Sequence, residues 1–251
     1  MPVSDTIKAV LFDRDGTLLD LQATWAGAFY FIIRDMAGGD ESKIQALADY
    51  SGYFMDSRKF DMRSRLLTGA PSDYCACWAE ICERPYGEDF MRDFTDLSLK
   101  YCDVSPTFLP GASQALDALK HAGIPMGIAT NGTESSARRQ MAHLGYEDHF
   151  CAVIGYDSGY GAKPEAGQVL AFADQLQIEP GDVLMIGDSL HDVHAGKAAG
   201  AMTLALPTGA ASSDELLAEA DQVISSLADL PLMLGLPLPT SAPQARPSIP
   251  L

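Results

Sequence analysis

Two aspartates near the start of the chain, Asp13 and Asp15, flank a single arginine in the stretch VLFDRDGTLLD. They follow an apolar run that is typical of a buried strand, and residues i and i+2 of an extended chain point to the same side. The pattern predicts two carboxylates side by side at the end of a sheet, with Arg14 pointing away from them. Because unpaired carboxylates there are costly or have shifted pKa values, the pair indicates a site where a partner neutralises them.

Polar residues also follow three later apolar segments that are typical of strands. They are TNG at 130–132, Lys163 after a strand candidate at 151–155, and GDS at 187–189 with Asp192 beyond it. In open parallel sheets, ligands bind at the carboxyl ends of the strands. Carboxylates, a hydroxyl, an ammonium and small glycines at successive strand ends therefore predict a site that holds phosphate or a metal ion.

The elements that must position these residues alternate in type along the chain. Strand candidates lie at 7–12, 124–129, 151–155, 182–186 and 202–206, and helix candidates at 111–122, 133–144 and 165–176. Strands that alternate with helices of about 10–15 residues are typical of a parallel sheet with helices on both faces. The sequence predicts an α/β fold with a Rossmann-like parallel sheet core.

A helical block follows the first strand and interrupts this alternation. Residues 21–104 show helical spacing without a convincing strand, so we interpret them as an insertion into a sheet domain formed by 1–20 and 105–230. Within the block, a stripe of large apolar residues is typical of core packing: Trp25, Phe29, Ile32 and Ile33. The segment 231–251 has six prolines in 21 residues, and we expect a loosely ordered end without regular structure.

Composition excludes several classes of partner. Of 251 residues, 47% are hydrophobic and the formal net charge is −17, which disfavours nucleic acid and anionic membranes as partners. No apolar run reaches the length of about 18 residues that spans a bilayer, and the chain start lacks an export-signal pattern. Five cysteines without CxxC spacing are typical of free thiols in a reducing compartment. We therefore expect a cytoplasmic protein, of unknown oligomeric state.

The motifs together resemble the haloacid dehalogenase-like hydrolase superfamily, in its phosphatase branch. The resemblance depends on DRDGT at 13–17, Thr130-Asn131, Lys163-Pro164 and GDSLHD at 187–192. The last motif continues as GDSLHDVHAGKAAG, which is similar to phosphoglycolate phosphatase-like members. The resemblance covers roughly 8–20 and 105–207, and many members carry a cap domain where this chain has its helical block. Arg14 departs from the pattern, since many relatives have an apolar residue between the two aspartates.

The resemblance implies a Mg²⁺-dependent phosphatase that forms an aspartyl-phosphate. Asp13 would attack phosphorus, and Asp15 would protonate the leaving alcohol and then deprotonate the attacking water. A phosphate monoester is dianionic and repels a carboxylate, so Mg²⁺ and Lys163 would offset that charge. The substrate would be a small phosphorylated metabolite such as phosphoglycolate or a sugar phosphate.

The resemblance also implies roles for the other motif residues. Mg²⁺ would bind the carboxylates of Asp13 and Asp188 and the main-chain carbonyl of Asp15. Asp192 and Ser189 would support the site, with Asp192 bracing the metal shell or Lys163. The residues expected to bind phosphoryl oxygens, through a hydroxyl or backbone N–H groups, are Thr130, Gly16, Thr17, Asn131 and Gly132.

A basic cluster in the helical block has two interpretations. Four of the 17 Lys and Arg residues fall within eight positions, at Arg58, Lys59, Arg63 and Arg65. The cluster is either a solvated helix face or a patch that meets the carboxylate or sugar end of the substrate. We expect Arg63 and Arg65 to contact substrate in the second case.

Two other functions use a similar set of residues. A phosphosugar mutase needs the same aspartates and differs in how the cap excludes water. A receiver-type phospho-acceptor also gathers acids, a threonine and a lysine, but it needs no acid two residues beyond the nucleophile. A dehalogenase is disfavoured because those relatives lack the acid that Asp15 provides.

Overall fold

The computed structural model describes residues 7–61, 64–68, 71–102, 106–209 and 211–237. The strands in this part of the chain are β1 (Ala9–Phe12), β2 (Tyr53–Phe54), β3 (Lys59–Phe60), β4 (Met126–Ala129), β5 (Ala152–Ile154), β6 (Val183–Gly187), β7 (Met202–Ala205) and β8 (Gln222–Val223). Its α-helices are α1 (Gly27–Met36), α2 (Glu41–Ser51), α3 (Arg65–Thr68), α4 (Pro71–Ile81), α5 (Glu88–Cys102), α6 (Ala112–His121), α7 (Glu134–Leu144), α8 (Gly167–Leu176), α9 (Leu190–Ala199), α10 (Ser213–Glu219) and α11 (Leu230–Met233).

Six of these strands form one parallel sheet in the order β5-β4-β1-β6-β7-β8. β1 lies at its centre, where Val10 pairs with Met126 on one side and Leu184 on the other. All four residues of β1 are buried, as expected for a strand covered on both faces. The predicted α/β fold with a Rossmann-like sheet is confirmed.

Helices cover both faces of the sheet because alternate strand residues point to opposite sides. Val10 and Phe12 belong to the hydrophobic cluster that includes residues of α6 and α7. Ala9 and Leu11 belong to the cluster that includes residues of α8 and α9. Gly127 in β4 allows the ring of Phe172 to pack against the sheet, where a Cβ would clash with it.

The helical block between β1 and α6 has a hydrophobic cluster of its own. It begins with a π-helical turn at Gln22–Ala26 and continues through α1 to α5. Phe29 and Trp78 belong to it with edge-on rings 6.4 Å apart, and Ile32 and Ile33 are buried in it, so the predicted core packing of the apolar stripe is correct for these three stripe residues. The prediction that no strand interrupts the block is wrong, because β2 and β3 form a two-stranded antiparallel ribbon. Strands of two residues are too short to show an alternating pattern.

The C-terminal segment continues to pack on the sheet domain beyond residue 230, where the sequence predicts a loosely ordered end. Residues 230–233 form α11, and Pro231 lies in its first turn, where a missing N–H leaves no bond unmade. Leu230 and Leu234 are buried in the cluster that contains α6. The expectation of an irregular end is therefore wrong for this part, and residues 238–251 lie outside the described residues. None of the described helices has the length and apolar character to cross a membrane.

Candidate active site

The carboxyl ends of β1, β4 and β6 bring three of the predicted site residues to one edge of the sheet. Phe12 ends β1 and pairs with Ile186 of β6, and the backbone N–H of Asp13 donates to the Ile186 carbonyl at 2.7 Å. Thr130 directly follows β4, and Asp188 directly follows β6. Asp13, Thr130 and Asp188 are all buried and line one cavity.

Lys163 reaches this edge from the segment between β5 and α8. Its ammonium donates to Asp13 Oδ1 at 2.5 Å, to Asp192 Oδ1 at 2.6 Å and to the Ala129 carbonyl at 2.8 Å. These contacts use all three N–H donors of a lysine ammonium. Burial by itself lowers the pKa of Lys163, but the charges of Asp13 and Asp192 outweigh burial and raise the pKa above its ordinary 10.5. Lys163 is therefore held as a cation against Asp13.

Three carboxylates crowd around this ammonium. Ligand oxygens of Asp13, Asp188 and Asp192 lie within 4.8 Å of one another, and all three residues are buried. Burial raises the pKa of Asp13 to about 7, against the lowering effect of Lys163. Burial also raises the pKa of Asp188 well above its ordinary 3.8, and the charges of Asp13 and Asp192 add to the rise. The cluster thus has less positive charge than its carboxylates require.

The cluster fits a divalent cation such as Mg²⁺. Three carboxylates and one ammonium leave two formal negative charges. The donors are oxygens, the ligands that Mg²⁺ prefers. Asp13 Oδ2 is buried without a hydrogen-bond partner among the described residues, which is costly unless a cation or ligand satisfies it. Asp13 and Asp188 are the carboxylates best able to hold the ion, because Asp192 is committed to other contacts.

Asp192 connects the start of α9 to Lys163. Its Oδ1 accepts from Lys163, and its Oδ2 accepts from the backbone N–H of Ser189 at 3.1 Å and from the Ser189 hydroxyl at 2.7 Å. Both carboxylate oxygens therefore have partners within the protein. The geometry supports a bracing role for Asp192 and Ser189.

The loop after β4 faces the same cavity. The Thr130 hydroxyl accepts from the backbone N–H of Gly132 at 3.0 Å. Asn131 donates its amide to the Lys163 carbonyl at 2.9 Å, and its amide oxygen accepts from the Lys163 N–H at 2.8 Å. Asn131 thus holds the Lys163 segment through its side chain. A substrate-binding role for Asn131 would use its backbone.

Arg14 corrects the expectation that its side chain points away from the aspartates. The guanidinium is 2% exposed and donates from Nε and Nη2 to Asp15 Oδ2, at 2.8 and 2.6 Å. β1 ends at Phe12, and the chain bends at Arg14, so the alternation of an extended strand does not continue through Asp15. The other oxygen of Asp15, Oδ1, accepts from the indole N–H of Trp25 at 2.5 Å.

Gly16 and Thr17 occupy different environments beside this motif. Gly16 has a positive φ of 84°, and a Cβ there would clash with the Asp188 carboxylate, so glycine permits this close approach. Thr17 is fully buried, and among the described residues its hydroxyl has no partner and does not line the cavity. The structure does not bring the Thr17 side chain to the site.

The helical block forms the opposite wall of the cavity. Its lining side chains are mostly apolar, and three carry a hydroxyl: Leu21, Trp25, Phe29, Leu66, Pro71, Phe94 and Leu99, with Tyr74, Thr95 and Ser98. Among the residues of the block that the structure describes, no Lys or Arg lines the cavity. We call this surface the insert wall.

The basic cluster predicted to meet substrate is only partly described. Arg63 lies outside the described residues. Arg65 is exposed, and its guanidinium lies 5.2 Å from the ring centroid of Tyr50, away from the cavity lining. Arg58 lies 4.0 Å from the ring centroid of Tyr30. The described geometry gives Arg58 and Arg65 aromatic partners and no contact with the site.

Two residues that position the site were not identified from the sequence. Trp25 was interpreted as core, yet its ring lines the cavity and its N–H contacts Asp15. Gln168 is buried, and its amide donates to the carbonyls of Thr130 and Gly161, both at 3.1 Å. Neither residue belongs to a short motif. The only sequence feature that could have indicated a positioning role was the polar N–H of Trp25 at the block's first turn.

Comparison with known proteins gives consistent family matches. The family model of the haloacid dehalogenase-like hydrolases matches residues 7–200. The phosphoglycolate phosphatase of Escherichia coli K12 is 29% identical over 247 residues, which cover 93% of this chain and 94% of that protein. The N-acetylmuramic acid 6-phosphate phosphatase of Pseudomonas aeruginosa PAO1 is 30% identical over 209 residues, 81% of this chain and 83% of that protein.

The fold is also shared with solved structures. The crystal structure of a predicted phosphoglycolate phosphatase from Haemophilus somnus aligns with 90% of this chain and 96% of its own, with a TM-score of 0.66. The two sequences are 20% identical, so this likeness concerns the fold alone.

Proposed function

This chain belongs to the haloacid dehalogenase-like hydrolases and is a phosphoric monoester hydrolase, and we propose that it is a Mg²⁺-dependent phosphatase acting through an aspartyl-phosphate. The observation that carries the proposal is the contact between the Lys163 ammonium and Asp13 Oδ1, at the carboxyl end of the central strand. It leaves Asp13 Oδ2 without a partner among the described residues, in a cluster whose three carboxylates need more positive charge than Lys163 supplies.

The first half of the reaction transfers the phosphoryl group to Asp13. An oxygen of Asp13 forms a bond to phosphorus while the ester P–O bond breaks, and the electron pair stays on the alcohol oxygen. Asp15 gives that oxygen a proton, so that a neutral alcohol leaves. The Thr130 hydroxyl can donate to a phosphoryl oxygen, and the Lys163 charge offsets the repulsion between two anions.

The second half releases phosphate. Asp15, now a carboxylate, takes a proton from water while the water oxygen attacks phosphorus. The bond between phosphorus and Asp13 breaks, and inorganic phosphate and the free Asp13 carboxylate result. Asp13, Asp188 and the main-chain carbonyl of Asp15 would hold Mg²⁺. When bound, Mg²⁺ supplies positive charge that screens the phosphate dianion from the carboxylates.

The insert wall bears on the choice of substrate. Its described side chains are apolar or carry hydroxyls. The arginine among the described residues that line the cavity is Arg14, and it is paired with Asp15. A carboxylate on the leaving group would find no unpaired cation among the described lining residues. Of the two substrate classes expected from the sequence, we therefore favour a leaving group without a carboxylate, such as a sugar phosphate.

A phosphate-release screen tests this function. The purified protein is incubated with phosphorylated metabolites with and without Mg²⁺, and inorganic phosphate is measured. We expect Mg²⁺-dependent release by the wild type and none by Asp13→Asn, because an amide cannot attack phosphorus. The amide is nearly isosteric with the carboxylate, so circular dichroism should show the variant folded.

Other outcomes would identify other functions. A folded wild-type protein that releases no phosphate from any substrate would overturn the phosphatase proposal. A product that keeps its phosphate would identify a phosphosugar mutase. A protein that becomes phosphorylated once and does not turn over would identify a phospho-acceptor.

A further inference from the structure

Arg14 has an unusual environment for an arginine. Its guanidinium is almost completely buried, yet it lines the cavity beside the loop after β4. Nη1 donates to the Ser136 hydroxyl at 3.3 Å, and a Cβ at position 132 would clash with Nη2, so Gly132 packs directly against the guanidinium. Arg14 is therefore fixed in one position by its surroundings.

The two hydrogen bonds from Arg14 to Asp15 go to the same oxygen. Nε and Nη2 both donate to Oδ2, and an ionised carboxylate oxygen has two lone pairs. Arg14 thus saturates Oδ2. The other oxygen of Asp15, Oδ1, must carry any proton that Asp15 exchanges with a substrate.

Trp25 completes the arrangement from the other side of the cavity. Its indole N–H donates to Oδ1 at 2.5 Å, and its ring centroid lies 5.2 Å from the Arg14 guanidinium carbon. One N–H occupies one lone pair and leaves the second lone pair of Oδ1 for a leaving alcohol or a water. Asp15 is therefore held at both oxygens, with one lone pair free.

We propose that Arg14 and Trp25 are positioning residues that make Oδ1 of Asp15 the oxygen that exchanges protons in the reaction. Arg14 keeps Oδ2 out of the reaction by donating a hydrogen bond to each of its lone pairs. Trp25 fixes the direction of the free lone pair of Oδ1. This inference rests on the proposed function, in which Asp15 protonates the leaving alcohol. It goes beyond that function by assigning roles to two residues that do not touch the phosphoryl group.

A positioning role has a kinetic consequence that a structural role lacks. Benzyl alkoxide needs the proton from Asp15 as the ester bond breaks, whereas p-nitrophenolate leaves without one. Both leaving groups are aromatic and meet the same insert wall. The parameter kcat/KM includes steps only up to departure of the alcohol, so it excludes the later hydrolysis step that both substrates share.

The experiment compares kcat/KM for benzyl phosphate and p-nitrophenyl phosphate in two variants. Arg14→Leu removes the bonds to Oδ2, and Trp25→Phe removes only the N–H and keeps a ring in the wall. General acid catalysis contributes about 10²- to 10⁴-fold, so we expect each variant to lose at least about 10-fold more on benzyl phosphate than on p-nitrophenyl phosphate. If Arg14→Leu fails to fold, Trp25→Phe carries the same comparison.

Three further variants decide what any loss means. Trp78→Phe is the matched control, because its buried N–H donates to Ser51 at 3.0 Å away from the cavity lining, and we expect an unchanged substrate ratio. Arg14→Lys keeps the charge without the planar fork. We therefore expect its kcat/KM for benzyl phosphate, relative to that for p-nitrophenyl phosphate, to stay below the wild-type ratio. Asp15→Asn must itself shift the ratio, since otherwise the proposed function fails at Asp15.

Two results would overturn the positioning inference while leaving the proposed function intact. The first is equal losses, or no loss, on both substrates in Arg14→Leu and Trp25→Phe while Asp15→Asn still discriminates between them. The second is full recovery of the ratio in Arg14→Lys, which would mean that positive charge suffices and the fork does not matter.

Discussion

At the scale of single residues, the site depends on one buried cation. Lys163 donates to two carboxylates and a carbonyl, and it is 4% exposed. Removing one partner from a buried ion pair leaves an uncompensated charge, which is far more costly than the net value of the pair. The stability of the metal-free protein should therefore be sensitive to this residue.

We expect Lys163→Met to destabilise the metal-free protein by about 3–5 kcal/mol. The methionine fills a similar volume but leaves Asp13 and Asp192 without their shared donor. The free energy of unfolding is measured in urea with EDTA present, so that no metal ion replaces the ammonium. Lys197→Met is the matched control: Lys197 is exposed on α9, and its loss should cost under about 1 kcal/mol. Similar costs for the two variants would contradict the role of Lys163 in charge balance.

The sequence predicted which residues meet at the site better than it predicted how their side chains point. Asp13, Thr130, Lys163 and Asp188 meet because strand ends share a sheet edge, which is a property of chain order. Arg14 was predicted on the wrong side because alternation holds only while a strand continues, and β1 stops at Phe12. A local bend of this kind depends on tertiary contacts, which leave no periodic pattern in the sequence.

At the scale of elements, length decides what could be predicted. The five strand candidates all correspond to strands, since each is an apolar run bounded by turn residues. β8 has two residues, and the ribbon of β2 and β3 has two in each strand, so none shows a pattern. The short helix α11 was missed because prolines suggested an irregular end, although Pro231 suits a first helical turn.

The insert wall leads to a prediction about leaving groups. We expect kcat/KM for 4-methylphenyl phosphate to exceed that for 4-carboxyphenyl phosphate by about 10²-fold. The two substrates share a ring and a phosphate, and an uncompensated buried carboxylate costs about 3 kcal/mol or more, where 1.4 kcal/mol is a factor of ten. Thr95→Lys places an ammonium on this wall and should narrow the difference.

The opposite preference would show that a cation reaches the leaving group. The first candidate for that cation is Arg63, which lies outside the described residues. It is close in sequence to Leu66, which lines the cavity. A preference for the carboxylate that disappears in Arg63→Gln would contradict our interpretation of the insert wall. It would also support the sequence-based expectation that this arginine contacts substrate.

At the scale of the whole molecule, the chain carries a formal net charge of −17 and concentrates three buried carboxylates at one sheet edge. Folding brings these groups together against their mutual repulsion. A ligand that binds only the folded state stabilises it, by about 2.7 kcal/mol at 100 times its dissociation constant. A divalent cation at the cluster should therefore increase both activity and stability.

We expect EDTA to abolish turnover and millimolar Mg²⁺ to restore it and to raise the unfolding temperature. Asp188→Asn should lose the Mg²⁺-dependent rise, whereas Asp174→Asn, on the exposed side of α8, should keep it. Ca²⁺ takes more ligands at longer distances and can bind both oxygens of a carboxylate. It should stabilise the fold without restoring turnover, because Asp13 needs a free oxygen for attack. Equal turnover in Mg²⁺, Ca²⁺ and EDTA would contradict a metal-dependent reaction. Measuring both activity and unfolding temperature distinguishes a metal ion that only stabilises the cluster from one that also supports catalysis.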